Sequence, residues 1–222
     1  MNLALFDLDG TLLPGDSDHA FGELMLALGW ADAGDFRRRN DEFYAQYQSG
    51  RLDIHAYVDF ATEPWRERDP EVLAQASQRF LDEWVRPMIR REALALIQHH
   101  REQGDRLAIV TATNAFVTRP IATLLGVDDL IATELAVDGA GRASGVIHGE
   151  PCFGAGKVGR VEQWLAASDL RLDDFGRSTF YSDSTNDLPL LERVSHPVAT
   201  NPSLALERVA LQRGWPVLRL FA

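Results

Sequence analysis

The sequence predicts an α/β protein in which a mainly parallel sheet lies between two layers of helices. Three observations support this fold class. Short apolar runs alternate with helical patterns near the start and through the second half of the chain. Residues 17–86 contain helical patterns and no convincing strand, and residues 138–141 read Asp-Gly-Ala-Gly between two strand-like runs. We therefore expect a parallel core that carries an all-helical insertion and a β-hairpin.

The N-terminal part begins with one strand and continues into the helical insertion. Leu3–Phe6 is a short apolar run that predicts a buried strand, and the polar segment Asp7–Thr11 ends it. The insertion is rich in charged and aromatic residues, and its helical patterns cover residues 20–28, 36–47 and 71–85. These boundaries predict an α/β core at residues 1–15 and 87–222 and an inserted helical cap at residues 16–86.

Alternating elements resume after Pro87. In chain order the patterns predict a helix at 92–103, a strand at 107–110, a helix ending at 125, hairpin strands at 130–137 and 143–147, a helix at 157–167, strands at 179–181 and 197–199, and a helix at 203–213. Polar clusters follow three of these strands, at Asp7, Thr111 and Asp183. Because parallel strands place their carboxyl ends at one edge of the sheet, we expect these clusters to meet there.

Composition excludes several classes of partner. The chain has 222 residues and a formal net charge of −11, and no long basic run offsets it, which argues against nucleic acid. The single cysteine, Cys152, cannot form an internal disulfide. Met1–Phe6 lacks the basic start of a signal peptide, and no apolar stretch approaches the roughly 20 residues of a spanning helix. We expect a cytoplasmic protein with no membrane partner; the oligomeric state stays open.

A metal site is the chemistry that the first cluster predicts. Asp7 and Asp9 stand one residue apart directly behind a strand, and adjacent carboxylates repel each other unless a cation binds them. Mg²⁺ prefers carboxylate and carbonyl oxygens, and Asp183 follows a different strand and supplies a third carboxylate. By itself, Asp-x-Asp-Gly is equally compatible with a simple turn. The other two clusters favour the metal site.

A phosphate site is predicted beside it. Thr111 and Thr113 follow a strand and precede a helix, where hydroxyls and free N–H groups suit a phosphate, although helix capping by threonine explains this pair alone. Lys157 begins a helix after Gly154-Ala155-Gly156, a loop that brings an ammonium close to a ligand; an isolated lysine would ordinarily lie on the surface. Pro151 stands where a P-loop needs its first glycine, so this is not a nucleotide-binding P-loop.

Taken in order, these features resemble the haloacid dehalogenase superfamily of phosphatases. The segment Asp7–Thr11 is similar to the family's motif one, and Thr111 is similar to its motif two. Lys157 is similar to motif three, and the segment Ser182–Asp187 is similar to motif four. The resemblance spans the whole chain. The helical insertion between motifs one and two is similar to subfamily IB, which includes phosphoserine phosphatase-like and histidinol-phosphatase-like proteins. The resemblance implies a three-layer, Rossmann-like core with an inserted cap.

The resemblance also implies a role for each motif residue. Asp7 would be the nucleophile that forms an aspartyl-phosphate, and Asp9 would protonate the leaving group and then activate water. Mg²⁺ would be held by the side chains of Asp7 and Asp183 and by the backbone carbonyl of Asp9. The remaining motif residues would bind the phosphate or support those that do: Thr111, Ala112, Lys157 and Asn186 at the phosphate, and Asp187 beside Lys157 or a metal-bound water.

The implied substrate is a small phosphomonoester. Asp16, nine positions after Asp7, matches the acid that contacts the substrate amine in phosphoserine phosphatases. The arginine that binds the substrate carboxylate there is missing near residues 60–61, although Arg66 or Arg68 could replace it. His19 is a further candidate for substrate contact. This pattern favours an amino-alcohol phosphate such as histidinol phosphate over phosphoserine.

Other functions fit the same pattern less well. Phosphoserine phosphatase is the first alternative, and a phosphotransferase or phosphomutase on the same scaffold is another. A haloacid dehalogenase needs neither magnesium nor a second aspartate, so Asp9 argues against it. Two alternative functions are not enzymatic. One is a receiver-like phosphoacceptor, but receiver domains lack a helical insertion of this size. The other is an inactive binding module, although all expected catalytic residue types are present.

Overall fold

A parallel sheet forms the centre of the molecule. The computed structural model describes residues 1–139 and 142–221. The strands are β1 (Leu3–Phe6), β2 (Arg106–Asn114), β3 (Asp129–Thr133), β4 (Leu135–Val137), β5 (Ala143–Ile147), β6 (Ser178–Ser182), β7 (His196–Thr200) and β8 (Val217–Leu218). Six of them form one sheet in the order β3-β2-β1-β6-β7-β8, with every adjacent pair parallel, and β4 and β5 form an antiparallel hairpin. The α/β fold class predicted from the sequence is confirmed.

Helices cover both faces of this sheet and fill the segment between β1 and β2. They are α1 (Ser17–Ala27), α2 (Ala33–Gln48), α3 (Ile54–Thr62), α4 (Pro70–Phe80), α5 (Arg86–Met88), α6 (Arg91–Glu102), α7 (Ala115–Leu124), α8 (Gly156–Ala166), α9 (Leu188–Arg193) and α10 (Leu204–Arg213). A π-helical segment, Leu81–Val85, joins α4 to α5. None of the described helices is long and apolar enough to cross a membrane.

The inserted helices share apolar packing with the sheet. Phe21 of α1 and Phe80 of α4 lie in the same buried cluster as Phe6 of β1. Asp16 and Asp53 start α1 and α3 by accepting backbone hydrogen bonds, as N-capping aspartates do. No strand occurs between β1 and β2, all of whose residues are described. The division into a core and a cap at residues 16 and 87 stays a prediction.

The hairpin packs against the inserted helices. Ile147 of β5 forms a small buried cluster with Ile54 and Val58 of α3. A Cβ on Gly145 would lie 3.0 Å from the hydroxyl oxygen of Thr62 in this helix, and the φ of +79° at Gly145 favours glycine. The hairpin thus supports the helices that form one wall of the cleft described below.

Three details of the strands differ from what the sequence predicts. The strand predicted at 107–110 runs on to Asn114, because a bulge after Val110 lets β2 pair again with Thr133. The strand predicted at 130–137 is divided at Glu134 between the main sheet and the hairpin. Strand β8 has only two residues and no pattern that predicts it. Of the predicted turn at 138–141, residues 140 and 141 lie outside the described residues.

Candidate active site

A buried ion-paired cluster lies at the carboxyl end of the sheet. Asp7 follows β1 directly, and its N–H donates to the Tyr181 carbonyl of β6 at 2.9 Å. Lys157, near the start of α8, is only 2% exposed. Its ammonium donates to Oδ1 of Asp7 at 2.9 Å and to Oδ2 of Asp187 at 2.8 Å. The structure therefore brings three of the predicted site residues into direct contact.

Burial and mutual charge set the protonation of this cluster. Burial raises the pKa of Asp7 to about 6, although Lys157 opposes the shift. Burial alone would lower the pKa of Lys157, but Asp187 and Asp7 outweigh it and raise that pKa well above its ordinary value. Lys157 is thus a permanent positive charge beside Asp7, where an incoming phosphoryl group would need one.

Asp187 is held in place by a serine at the end of β6. Ser182, the last residue of β6, is fully buried and donates its hydroxyl to Oδ2 of Asp187 at 2.7 Å. The same hydroxyl oxygen accepts the N–H of Ser184 at 3.2 Å. Ser182 therefore orients the carboxylate that in turn orients Lys157.

The side chain of Asp9 is anchored from two directions. Ser17, the first residue of α1, donates its backbone N–H to Oδ1 at 2.7 Å and its hydroxyl to Oδ2 at 3.0 Å. Thr113 donates its hydroxyl to Oδ2 at 3.1 Å. Burial, then Asp16 and then Asp7 raise the pKa of Asp9 well above its ordinary value, while Ser17 opposes this. A carboxyl group with a raised pKa is suited to carry the proton that a leaving alkoxide needs.

The hydroxyl of Ser17 is expected to matter for turnover. Replacing Ser17 with alanine removes one of three hydrogen bonds that hold Asp9, so we expect kcat to fall about tenfold with little change in KM. Ser17→Thr retains a hydroxyl and should recover most of the loss. The exposed Ser49, whose hydroxyl donates to carbonyls at the end of α2 and accepts from the nearby Arg51 side chain, provides the control variant Ser49→Ala. A kcat for Ser17→Ala within twofold of wild type would contradict this role.

The acidic residues at the strand ends fit a divalent cation. Asp183 lies against Gly10, where a Cβ would collide with its carboxylate and where φ is +75°. Burial, then Asp7 and Asp187, raise the pKa of Asp183 to about 8. A cation bound between Asp7 and Asp183 would favour the ionised form of both carboxylates, which is the chemistry that Mg²⁺ sites use. The donor set therefore fits the predicted metal.

The Asp9 side chain is not part of such a donor set. It is turned toward Ser17 and Thr113, so only its backbone carbonyl is available to a metal. Within residues 1–139 and 142–221, no group of three His, Cys, Asp or Glu side chains has an arrangement that could hold a metal ion.

The predicted phosphate-binding residues line a cleft beside Asp7. Thr111 is buried, and its hydroxyl accepts the Thr113 N–H at 3.2 Å. Helix α7 begins only at Ala115, and Asn114 caps it by accepting the N–H of Val117. Threonine capping of this helix, the alternative explanation from the sequence, is therefore wrong. Asp9, Thr111, Ala112 and Lys157 all border the same cleft.

The opposite wall of this cleft comes from the inserted helices and the loop before α8. Its residues are mostly aromatic or apolar: Phe43, Tyr44, Tyr47, Leu52, Ile54, Tyr57, Val58 and Phe153. Asn186 reaches across and donates its amide to the Tyr47 carbonyl at 3.4 Å, so it links the two walls. The cleft is therefore polar at the end of the sheet and largely apolar opposite.

The predicted substrate-contact residues also border the cleft. Asp16 accepts the His19 N–H at 2.8 Å as the cap of α1, and His19 Nδ1 lies 2.9 Å from the Asn40 amide. Arg66 pairs with Asp59, and Arg68 stacks on Trp30 at 4.3 Å in a separate depression. Neither arginine lines the cleft. Among the described residues that do, Lys157 is the one lysine or arginine.

The fold and this site define a family. A model of haloacid dehalogenase-like hydrolases matches residues 4–192, and the chain belongs to that family. It is 42% identical over 217 residues to "Histidinol-phosphatase" of Neisseria meningitidis serogroup C (strain 8013), and the aligned region covers 98% of both chains. It is thus a phosphatase acting on phosphoric monoesters, as the sequence predicts.

Solved structures agree with this fold. A protein of unknown function from Bordetella pertussis Tohama I is 45% identical and superimposes with a TM-score of 0.93 over 99% of both chains. A substrate-bound phosphoserine phosphatase complex superimposes with a TM-score of 0.68 over 97% of this chain and 91% of that one. Its 17% identity supports a shared fold alone.

Proposed function

We propose that this protein is a magnesium-dependent phosphatase that hydrolyses an amino-alcohol phosphate, with histidinol phosphate as its preferred substrate, through an aspartyl-phosphate on Asp7. The observation that carries the chemistry is the contact of the buried Lys157 ammonium with both Asp7 and Asp187 at the end of the sheet. It leaves one carboxylate oxygen of Asp7 beside a fixed positive charge at the cleft.

The proposed reaction has two steps. In the first, an oxygen of Asp7 attacks phosphorus, the bond from phosphorus to the ester oxygen breaks, and Asp9 gives its proton to the leaving alkoxide. In the second, Asp9 takes a proton from a water molecule that attacks phosphorus, and the bond between phosphorus and Asp7 breaks. The products are the free alcohol and inorganic phosphate, and both aspartates return to their starting states.

Charge neutralisation accompanies both steps. Lys157, the Thr111 hydroxyl and the backbone N–H near Ala112 are proposed to bind the phosphoryl oxygens, with Asn186 at the rim of the same cleft. Asp7, Asp183 and the Asp9 carbonyl are proposed to hold Mg²⁺, which when bound neutralises charge on the phosphoryl group. Asp187 fixes the ammonium of Lys157 at 2.8 Å.

The charges of the cleft residues support the choice of an amino-alcohol phosphate as the substrate. Asp16 and Asp18 both line it, and among its described residues no arginine is present to receive a carboxylate. Phosphoserine would bring a carboxylate as well as its amine toward these acids. Histidinol phosphate has an amine and an imidazole, and it has no carboxylate. The 42% identity with a Neisseria protein named histidinol-phosphatase supports the same choice.

A comparison of two substrates with and without metal tests this proposal. With Mg²⁺ present, we expect kcat/KM for histidinol phosphate to exceed that for phosphoserine at least about tenfold, because one uncompensated charge in a cleft costs about that much. A chelator should abolish both activities, and added Mg²⁺ should restore them. Preference for phosphoserine would contradict the substrate, and full activity in chelator would contradict the metal.

A further inference from the structure

Asp18 is a cleft residue with no place in the proposed mechanism. It is the second residue of α1, it is half-buried, and it lines the cleft together with Asp16. Within the described chain no lysine, arginine or histidine forms an ion pair with it. Its side chain interacts with the hydroxyl of Tyr57 in α3, which lines the same cleft. A carboxylate in this position faces the space that a bound substrate would occupy.

We propose that Asp18, supported by Tyr57, binds a second basic group of the substrate, beyond the amine that Asp16 receives. The enzyme would then select phosphate monoesters that carry two nitrogen functions, the outer one cationic or able to donate an N–H. This inference rests on the proposed function and deepens it, because it assigns the outer end of the substrate to a particular residue.

The elements that carry these residues support this assignment. Asp16 caps α1 and Asp18 is the second residue of that helix, and both side chains line the cleft. Tyr57 of α3 lines the same cleft. Asp18 and Tyr57 therefore meet in the part of the cleft that α1 and α3 form, whereas Asp7 follows β1.

A bound cation would offset the charge repulsion between Asp18 and its neighbour Asp16. Burial and the neighbouring Asp16 raise the pKa of Asp18 to about 7, and the Tyr57 hydroxyl only partly opposes the shift. Two carboxylates that share one wall without a basic partner destabilise each other's charged form. A bound cation between them and the aromatic wall would favour both charges.

The wall around Asp18 also suits a flat basic ring. The rings of Tyr57 and Phe43 lie edge to face with centroids 5.4 Å apart, and both border the cleft. Aromatic faces attract cations, and a planar ring covers them with little loss of conformational freedom. The N–H of an imidazole placed here would donate to the Asp18 carboxylate, and its ring would contact the rings of Tyr57 and Phe43.

Two substrates that differ only at the outer group test the proposal. Histidinol phosphate and phenylalaninol phosphate share the phosphate ester and the amine, but the second has a neutral benzene ring. We expect Asp18→Asn to lower the ratio of their kcat/KM values, histidinol phosphate over phenylalaninol phosphate, about tenfold. Tyr57→Phe should lower the same ratio by a smaller factor, and it keeps the ring that packs on Phe43.

Controls separate the possible outcomes. Asp41→Asn removes the same charge from an exposed position of α2 and should leave the ratio unchanged. If the ratio for Asp18→Asn and Tyr57→Phe stays within twofold of wild type, the assignment of the outer group to Asp18 is wrong, even if histidinol phosphate is a good substrate. If the wild-type enzyme does not hydrolyse histidinol phosphate at all, the proposed function itself fails.

Discussion

Replacing Asp7 with asparagine is expected to lower kcat by about a thousandfold or more, because the amide cannot attack phosphorus and no other carboxylate takes its place. The asparagine has nearly the same shape, so the fold should be retained. Steady-state hydrolysis of histidinol phosphate in saturating Mg²⁺ measures the loss, and circular dichroism checks the fold.

The matched control for this variant is Asp41→Asn, which makes the same chemical change on the exposed surface of α2. It should keep wild-type kcat. An Asp7→Asn enzyme that retains a tenth or more of the wild-type kcat would show that Asp7 is not the nucleophile. Contaminating phosphatase is excluded if the residual activity is unchanged after the variant is purified a second time.

Replacing Lys157 with methionine is expected to cost both activity and stability. Lys157 neutralises Asp7 and Asp187, whose side chains are 10% and 4% exposed, and its removal leaves two buried carboxylates without a cation. Breaking such a buried ion pair costs about 3–5 kcal/mol, which in a chain of this size lowers Tm by roughly 10 °C. Thermal unfolding in chelator measures the shift without metal.

A second variant separates charge from packing. Lys157→Met combined with Asp187→Asn removes one of the two uncompensated charges, so part of the lost Tm should return while activity stays low. Equal Tm values for wild type and Lys157→Met would contradict the view that this ion pair balances the cluster. Equal Tm values for the single and double variants would show that lost packing, and not charge, causes the destabilisation.

Much of the fold could be predicted from the sequence because polar residues directly follow the apolar runs that form strands. Asp7, Thr111 and Asp183 each follow an apolar run, and parallel pairing alone is enough to bring such positions to one edge. For Lys157 to reach the site, its helix α8 only had to begin near this edge. The structure places it 2.9 Å from Asp7, although 150 residues separate the two.

The details of the site depended on contacts that no local pattern encodes. The hydrogen bond from Thr113 to Asp9 joins residues 104 positions apart, and Thr113 lies where the register of β2 shifts. Ser17 contacts Asp9 because α1 starts at this point of the cleft, and serine is common at helix starts for other reasons. The exclusion of Arg66 from the cleft follows from its pairing with Asp59, which the sequence left undecided.

If Asp7 carries the phosphoryl group during turnover, the aspartyl-phosphate can be trapped chemically. Borohydride reduces an aspartyl-phosphate to homoserine, which peptide mass spectrometry locates. Asp9→Asn is used beside wild type, because slower hydrolysis of the intermediate lets it accumulate. We predict homoserine at position 7, only when substrate and Mg²⁺ are both present. Homoserine at another aspartate, or continued turnover with none at position 7 in either protein, would contradict the mechanism.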